Sequence, residues 1–220
     1  MKLLLATADL DDIRWAVTNG LLDGVMTSPA LLRDAGADGD HDRIREICQA
    51  HPTPVYVAVH AVSGDDIYRD ARELARLSDQ IIVQVPLVEE AFGAMHRLHA
   101  DGVRTAAMLV FNAAQALLAA KAGASTVITP LDQLDAVGHS GADVVRDLRR
   151  VFDASRTECD ILAIRPTSAQ QFSESALAGA DGVAVSPDVL RSLLLHPLTD
   201  RGVDQFLNDV SKLHGGWSDR

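Results

Sequence analysis

Along its 220 residues the chain repeats one alternation eight times: a short run rich in Val, Ile, Leu and Ala, then a stretch with helical period. The apolar runs are Leu3–Thr7, Gly24–Thr27, Pro54–His60, Gln80–Val85, Val103–Val110, Ser125–Thr129, Asp160–Arg165 and Gly182–Ser186. The helical patterns that follow them are Leu10–Asn19, Asp42–Ala50, Gly64–Leu77, Glu89–Ala100, Ala113–Ala122, Ala142–Ala154, Ala169–Ala178 and Asp188–Leu195. Strands that are apolar on both faces belong in a parallel sheet covered by helices. Eight such units with short joints select a closed barrel over an open sheet. The expected fold is α/β, a (β/α)8 TIM barrel filling residues 1–220 as one domain, with no linker or low-complexity tract.

Composition agrees with that fold and narrows the partners. Hydrophobic residues make up 47% and aromatic ones 4%, so the core must be built from aliphatic side chains, as the packed layers of parallel barrels are. Twenty basic residues stand against 31 acidic ones, a net charge of −11. That field disfavours nucleic acid and anionic membrane as partners. No stretch approaches the roughly 18 apolar residues of a membrane span, and the N-terminal Met1–Leu5 run reads as a strand, not a signal peptide. Cys48 and Cys159 form no CxxC pair, and a reduced, cytoplasmic protein is expected.

Glycines recur where helices hand over to strands, in Asn19-Gly20, Ala122-Gly123-Ala124 and Ala178-Gly179-Ala180-Asp181-Gly182. They read as helix C-caps and carry no chemistry. A ninth helical pattern, Asp200–Leu213 within a C-terminal segment 199–213, has Val203, Phe206, Leu207, Val210 and Leu213 on one face. Eight helices suffice to cover a barrel, so this stripe must lie under the barrel or against another subunit, and a homo-oligomer is expected.

Function in such a barrel sits at the carboxyl ends of the strands. Alternation selects Ala6, Thr27, Ser28, His60, Gln84, Met108, Arg165 and Ser186 as the side chains at that mouth. His60 is a candidate catalytic acid or base near neutral pH, against a plain hydrogen-bonded rim residue. Arg165 requires an anion, which can be a phosphate, a carboxylate or a protein acid. Thr27, Ser28, Gln84, Met108, Arg165 and Ser186 are the candidate substrate-binding residues. Asp135 and His139 read as capping residues of the next helix. His96 and His99 share a helix face without a third ligand, so no metal site is expected.

Several segments resemble the transaldolase family. Gly24-Val25-Met26-Thr27-Ser28-Pro29 is similar to its T-x-N-P turn, and Gln84-Val85-Pro86 to the K-[VI]-P strand end that carries its Schiff-base lysine. Phe111 with Gln115-Ala116 resembles F-x-x-x-Q-A, and Asp135…Gly138…Gly141 the D-x-x-G-x-x-G loop. His196-Pro197-Leu198-Thr199-Asp200…Phe206…Asp209 resembles the H-P-L-T-D-x-G-x-x-x-F-x-x-D segment of the small transaldolases. The likeness runs nearly end to end and is nearest to the short subfamily that includes fructose-6-phosphate aldolase. It implies the barrel fold, a small anionic carbonyl or sugar-phosphate-like substrate, no cofactor, and a ring assembly through the terminal helix.

The departures bear on chemistry. By that resemblance the lysine falls on Gln84, the strand-one aspartate on Ala6, the T-x-N-P asparagine on Ser28, the strand-three glutamine on Ala58, and the strand-five threonine on Met108. A carboxamide nitrogen has donated its lone pair to its carbonyl and forms no imine. The chain's lysines are Lys2, Lys121 and Lys212, one at the amino end of a strand and two on helices, so no substitute is expected at the mouth. Two readings follow: an enzyme with altered chemistry on a small anionic substrate, or a non-catalytic pseudo-enzyme that binds a metabolite or serves an assembly.

Overall fold

In the computed structural model, which describes residues 1–36 and 40–215, eight parallel strands close into a barrel in chain order. They are β1 (Lys2–Ala6), β2 (Gly24–Met26), β3 (Val55–Ala58), β4 (Ile81–Pro86), β5 (Thr105–Met108), β6 (Thr126–Pro130), β7 (Asp160–Ile164) and β8 (Gly182–Val185). The helices are α1 (Leu10–Thr18), α2 (Pro29–Asp34), α3 (Asp40–Ala50), α4 (Gly64–Ala75), α5 (Glu89–Ala100) and α6 (Ala113–Lys121). After these come α7 (Leu131–Ala136), α8 (Gly141–Ser155), α9 (Ala169–Ala178), α10 (Pro187–Ser192) and α11 (Pro197–Gly215). The ring closes where β1 pairs with β8, Leu3 opposite Val183.

Alternation along the strands divides the apolar side chains into two cores. Leu4, Met26, Tyr56, Ile82, Ala106, Ile128, Leu162 and Ala184, one from each strand, fill the barrel interior. Val25, Val57, Val83, Val85, Val127, Val183 and their outward-facing neighbours pack against the helices. The alanines of the interior and of α6 let strands and helices approach closely, which explains how a chain so poor in aromatics still fills its core. Tyr56 is the exception: burial pushes its phenol above the usual tyrosine range, and a hydrogen bond with Thr126 pulls it part of the way back.

Two of the hand-over glycines are obligatory. Gly123 and Gly179 have φ of 99° and 97°, and a Cβ would meet the His99 side chain at 2.6 Å and the Arg149 side chain at 2.9 Å. Under the barrel, at the amino ends of the strands, Lys2 Nζ lies 2.9 Å from Asp160, and Arg149 pairs with Asp181. Both cysteines are free and buried.

The structure corrects the sequence reading at several ends. β3 stops at Ala58 because the His60 amide donates to the Asp70 carboxylate at 2.6 Å instead of to a strand. β5 starts later than Val103, at Thr105, and stops at Met108, before the expected Val110, where Leu109 turns left-handed with φ 66°. Two six-residue helices, α2 and α7, occupy segments expected to be loops. The terminal helix starts at Pro197, before Asp200. Leu198, Val203, Phe206 and Leu207 on α11 are exposed and Val210 is half-buried. Leu213, the last member of the expected stripe, lies outside the residues whose side chains are described. Among the described residues no helix is long and apolar enough to cross a membrane.

Candidate functional site

The carboxyl ends of β1, β2, β7 and β8 surround a cleft of about 530 Å³, within the usual range for a small-molecule site. Ala6, Ser28, Arg165 and Ser186, expected at the mouth, all line it, together with Asp132, Leu31 and Val189. Ser28 and Ser186 are set there by local chemistry. Each precedes a proline and caps the short helix that follows, Ser28 Oγ accepting from the Leu31 amide at 3.2 Å and Ser186 Oγ from the Val189 amide at 3.3 Å. A capping hydroxyl accepts with its lone pair and keeps its own hydrogen to donate.

Arg165 follows β7 directly and has φ 58°, a left-handed conformation that costs of order 1–3 kcal/mol for a residue with a Cβ. Its amide still donates to the Ala184 carbonyl at 3.1 Å, which fixes the turn against β8. Its Nε donates to Asp132 Oδ1 at 2.9 Å, so the anion required by this arginine is a protein acid. The pair remains accessible, with side-chain exposures of 47% and 36%. Among the described residues neither Nη nitrogen of Arg165 has a partner in the chain, nor does Asp132 Oδ2.

Gln84 is buried on the inward parity of β4, one level above Ile82. Its Nε2 donates to the Thr27 carbonyl at 2.9 Å. Met108, on the same parity of β5, is half-buried and packs on the interior layer. Ala6, Ala58 and Met108 themselves bring no carboxylate, amide or hydroxyl to the mouth. The lysines are elsewhere: Lys2 with Asp160 at the amino end of β1, Lys121 exposed at the end of α6, and Lys212 beside Asp209 on α11.

Two of the expected side chains, those of His60 and Thr27, stand outside the cleft lining. His60 lies beyond the end of β3, where alternation no longer applies, and its Nε2 is 3.7 Å from Asp40 at the start of α3. Its side chain is about half exposed, and it is not among the residues that line the cleft. Thr27 shares the parity of Val25 and faces the same layer, its hydroxyl donating to the Tyr56 carbonyl at 3.0 Å. It serves the mouth only through the carbonyl that receives Gln84. Asp132 is a residue that sequence reading misses. It sits in the first turn of α7, which begins without a spacer after the Pro130 that ends β6, and that Pro-Leu-Asp junction is the available signal.

The comparisons with known proteins agree with this architecture. Residues 3–215 match the Transaldolase/Fructose-6-phosphate aldolase family. A "Probable transaldolase" of Bacillus cereus is 38% identical over 212 residues, 96% of this chain and 98% of that protein. A "Probable transaldolase" of Herpetosiphon aurantiacus is 39% identical over 209 residues, 95% and 94% of the two chains. Among solved structures, the orotidine 5'-monophosphate decarboxylase of Methanocaldococcus jannaschii superposes with a TM-score of 0.60 at 14% identity, over 84% of this chain and 88% of that one. The thiamine phosphate pyrophosphorylase of Pyrococcus furiosus gives 0.58 at 16% identity, over 87% and 93%. At such identities those two show the barrel fold alone. The sequence match spans nearly all of both chains, and this protein belongs to the transaldolase/fructose-6-phosphate aldolase family.

Proposed function

We propose that this chain is a divergent member of its family that takes a small anionic carbonyl compound into the barrel mouth and acts on it without forming an imine. The observation that carries this reading is Gln84: a buried carboxamide, its nitrogen donated to the Thr27 carbonyl, at the strand-four position that resembles the family's lysine site. The places of the three lysines, all away from the cleft, support it. Arg165, Ser28 and Ser186 offer donors to an anion. The proton-transfer part expected of His60 passes to Asp132, the one carboxylate among the described residues that line the cleft.

Incubation with fructose 6-phosphate or dihydroxyacetone, addition of borohydride, and weighing of the intact chain test this. The expected result is an unchanged mass, and a stoichiometric adduct on any lysine would overturn the reading. Gln84→Lys alone is expected to recover little aldol chemistry, because Ala6 and Met108 supply no proton-transfer group.

A second reading is favoured by one observation, the turn of His60 towards Asp40: a non-catalytic protein that binds a metabolite or serves an assembly. Ligand binding without turnover of any bound compound would support it over the first. Both readings accommodate a homo-oligomeric ring assembled through α11. The exposed Leu198, Val203, Phe206 and Leu207 make a face that a second copy would bury. Light scattering on the full chain and on a chain ending at Pro197 tests this. A large assembly that dissociates on truncation is expected, and a monodisperse full-length monomer would refute it.

A further inference from the structure

We infer that the ligand of the mouth is a zwitterion with an apolar body, of the class of the aliphatic α-amino acids, its carboxylate on Arg165 and its ammonium on Asp132. The inference rests on the reading that Arg165 takes an anionic group in the cleft, and it makes that group a carboxylate with an ammonium beside it in place of a sugar-derived or phosphorylated anion. Three features of the cleft converge on it.

The first is the pairing of charges. Arg165 Nε and Asp132 Oδ1 lie 2.9 Å apart and both residues line the cleft. A lone carboxylate or phosphate approaching the guanidinium also meets the Asp132 carboxylate. Like charges that close repel even through water, and more strongly at a protein surface, where the effective dielectric is lower. A doubly charged phosphate fares worse. A ligand that carries its own cation beside its anion turns that repulsion into a second attraction. In an α-amino acid the ammonium and carboxylate are separated by a single carbon, which matches two protein poles in hydrogen-bonding contact.

The second is the set of unused atoms. The Nε–Oδ1 contact leaves both Nη groups of Arg165 and Oδ2 of Asp132 without partners among the described residues. The two Nη groups form a fork suited to a carboxylate, and the capping hydroxyls of Ser28 and Ser186 each retain a hydrogen to donate. The ligand therefore adds contacts without breaking the ion pair.

The third is the rest of the wall. Ala6, Ala30, Leu31, Pro166, Ala184 and Val189 line the same cleft and offer no side-chain partner to the successive hydroxyls of a sugar, while the remaining polar residue, Thr167, gives its hydroxyl hydrogen to the Gln171 carboxamide at 3.0 Å. A polyol bound there would leave hydroxyls unpaired, each costing more than an ordinary hydrogen bond gains. An aliphatic side chain against the same wall gains by every part of its surface removed from water.

Isothermal titration of the full-length chain with L-leucine, 4-methylpentanoate, 3-methylbutylamine and inorganic phosphate tests the inference. The two organic analogues are leucine without its amine and leucine without its carboxylate. Leucine is expected to bind about tenfold tighter than 4-methylpentanoate, the worth of one charge-assisted hydrogen bond, with 3-methylbutylamine and phosphate weaker than either. Asp132→Asn is expected to remove the advantage of leucine and leave 4-methylpentanoate bound as well or better; Arg165→Gln is expected to abolish both. Equal binding of leucine and 4-methylpentanoate, unaffected by Asp132→Asn, would overturn the zwitterion and leave the anion site standing. Phosphate tighter than both would overturn it in favour of a phosphorylated ligand. Absence of binding by all four would overturn the inference together with the anion site.

Discussion

At the amino end of the barrel Asp181 is held by Arg149 and also accepts from the Ile161 amide at 2.7 Å, while Arg149 Nε reaches the Gly179 carbonyl at 3.0 Å. At the carboxyl end Asp132 has Arg165 alone among the described residues. The two arginine–aspartate pairs look alike in sequence and differ in what they are attached to. The lower one ties a helix and two strand ends to backbone groups; the upper one joins two side chains over an opening. Exposure differs in the same sense, 27% and 33% for the lower side chains against 47% and 36% for the upper. Charges that are consumed by the fold stabilise it, and charges left accessible remain for a ligand.

The largest expected effect that would break this contrast comes from Asp181→Ala. It removes the nearer of the two carboxylates beside Arg149, Asp153 being the other at 3.6 Å, and leaves the Ile161 amide unpaired, and partial exposure moderates the cost. A loss of about 3 kcal/mol in urea unfolding is expected, with unchanged ligand binding at the mouth. A loss below about 1 kcal/mol would mean that the lower pair behaves as a surface pair.

Alkaline titration sharpens the same contrast. Burial raises the Cys159 thiol from its ordinary 9.0 to about 12, and the nearby Asp160 and Asp181 carboxylates push in the same direction. A group whose folded pKa is raised favours folding below its unfolded pKa and loses that contribution as pH climbs towards the folded value. The thiol's contribution is therefore flat through neutrality and declines above about pH 9, by about 2 kcal/mol at about pH 10.5. Urea midpoints measured across that range should show the decline, and Cys159→Ala should make it shallower. Tyr56 and Cys48, both raised by burial, and Lys2, raised by its hydrogen bond to Asp160, contribute in the same sense, so Tyr56→Phe should remove only part of the remainder.

A smaller effect is expected inside the mouth. Gln84→Leu replaces the carboxamide with an apolar group of similar size and leaves the Thr27 carbonyl without its 2.9 Å donor. About 1 kcal/mol of stability should be lost, the net worth of one neutral hydrogen bond. Gln84→Met should cost about the same. A loss near that of Asp181→Ala would place Gln84 among the groups that hold the barrel together.

How much of this is legible in the sequence depends on what determines each feature. The eight apolar runs read as strands because burial on both faces writes itself into every position, and the interior parity of Gln84 and Met108 follows from a period of two. That rule fails at His60, which lies two residues beyond the end of β3 and whose amide is taken by the Asp70 carboxylate. It fails at Thr27 for another reason: adjacent residues of a strand cannot both face inward, and Ser28 does. Helices α2 and α7 have six residues each, too few for a helical period to show, although Ser28-Pro29 advertises one of them. The direction of Asp132 is set by a strand–helix junction and by an arginine 33 positions away in sequence, which no local pattern encodes. The apolar face of α11 is visible as a stripe, but only the structure shows that the described part of the chain leaves Val203, Phe206 and Leu207 exposed.

The smallest expected effect is the most informative about the mouth. Arg165 and Asp132 form a single Nε–Oδ1 contact at 2.9 Å with side chains 47% and 36% exposed, so water screens the attraction and competes for every atom. A double-mutant cycle of Arg165→Gln and Asp132→Asn should give a coupling of about 0.5 kcal/mol at low salt, vanishing near molar salt where the Debye length falls to about 3 Å. Arg165 has a further liability, its left-handed φ of 58°. Arg165→Gly should therefore stabilise the folded chain by relieving that conformation, or at least offset the lost pair, whereas Arg165→Gln retains the strain. A residue selected for stability would show the opposite order. If Arg165→Gly is instead the more damaging of the two and the coupling approaches about 3 kcal/mol, the scale of a buried pair, the upper pair belongs with the lower one as a structural clamp. The distinction between the two ends of the barrel would then collapse.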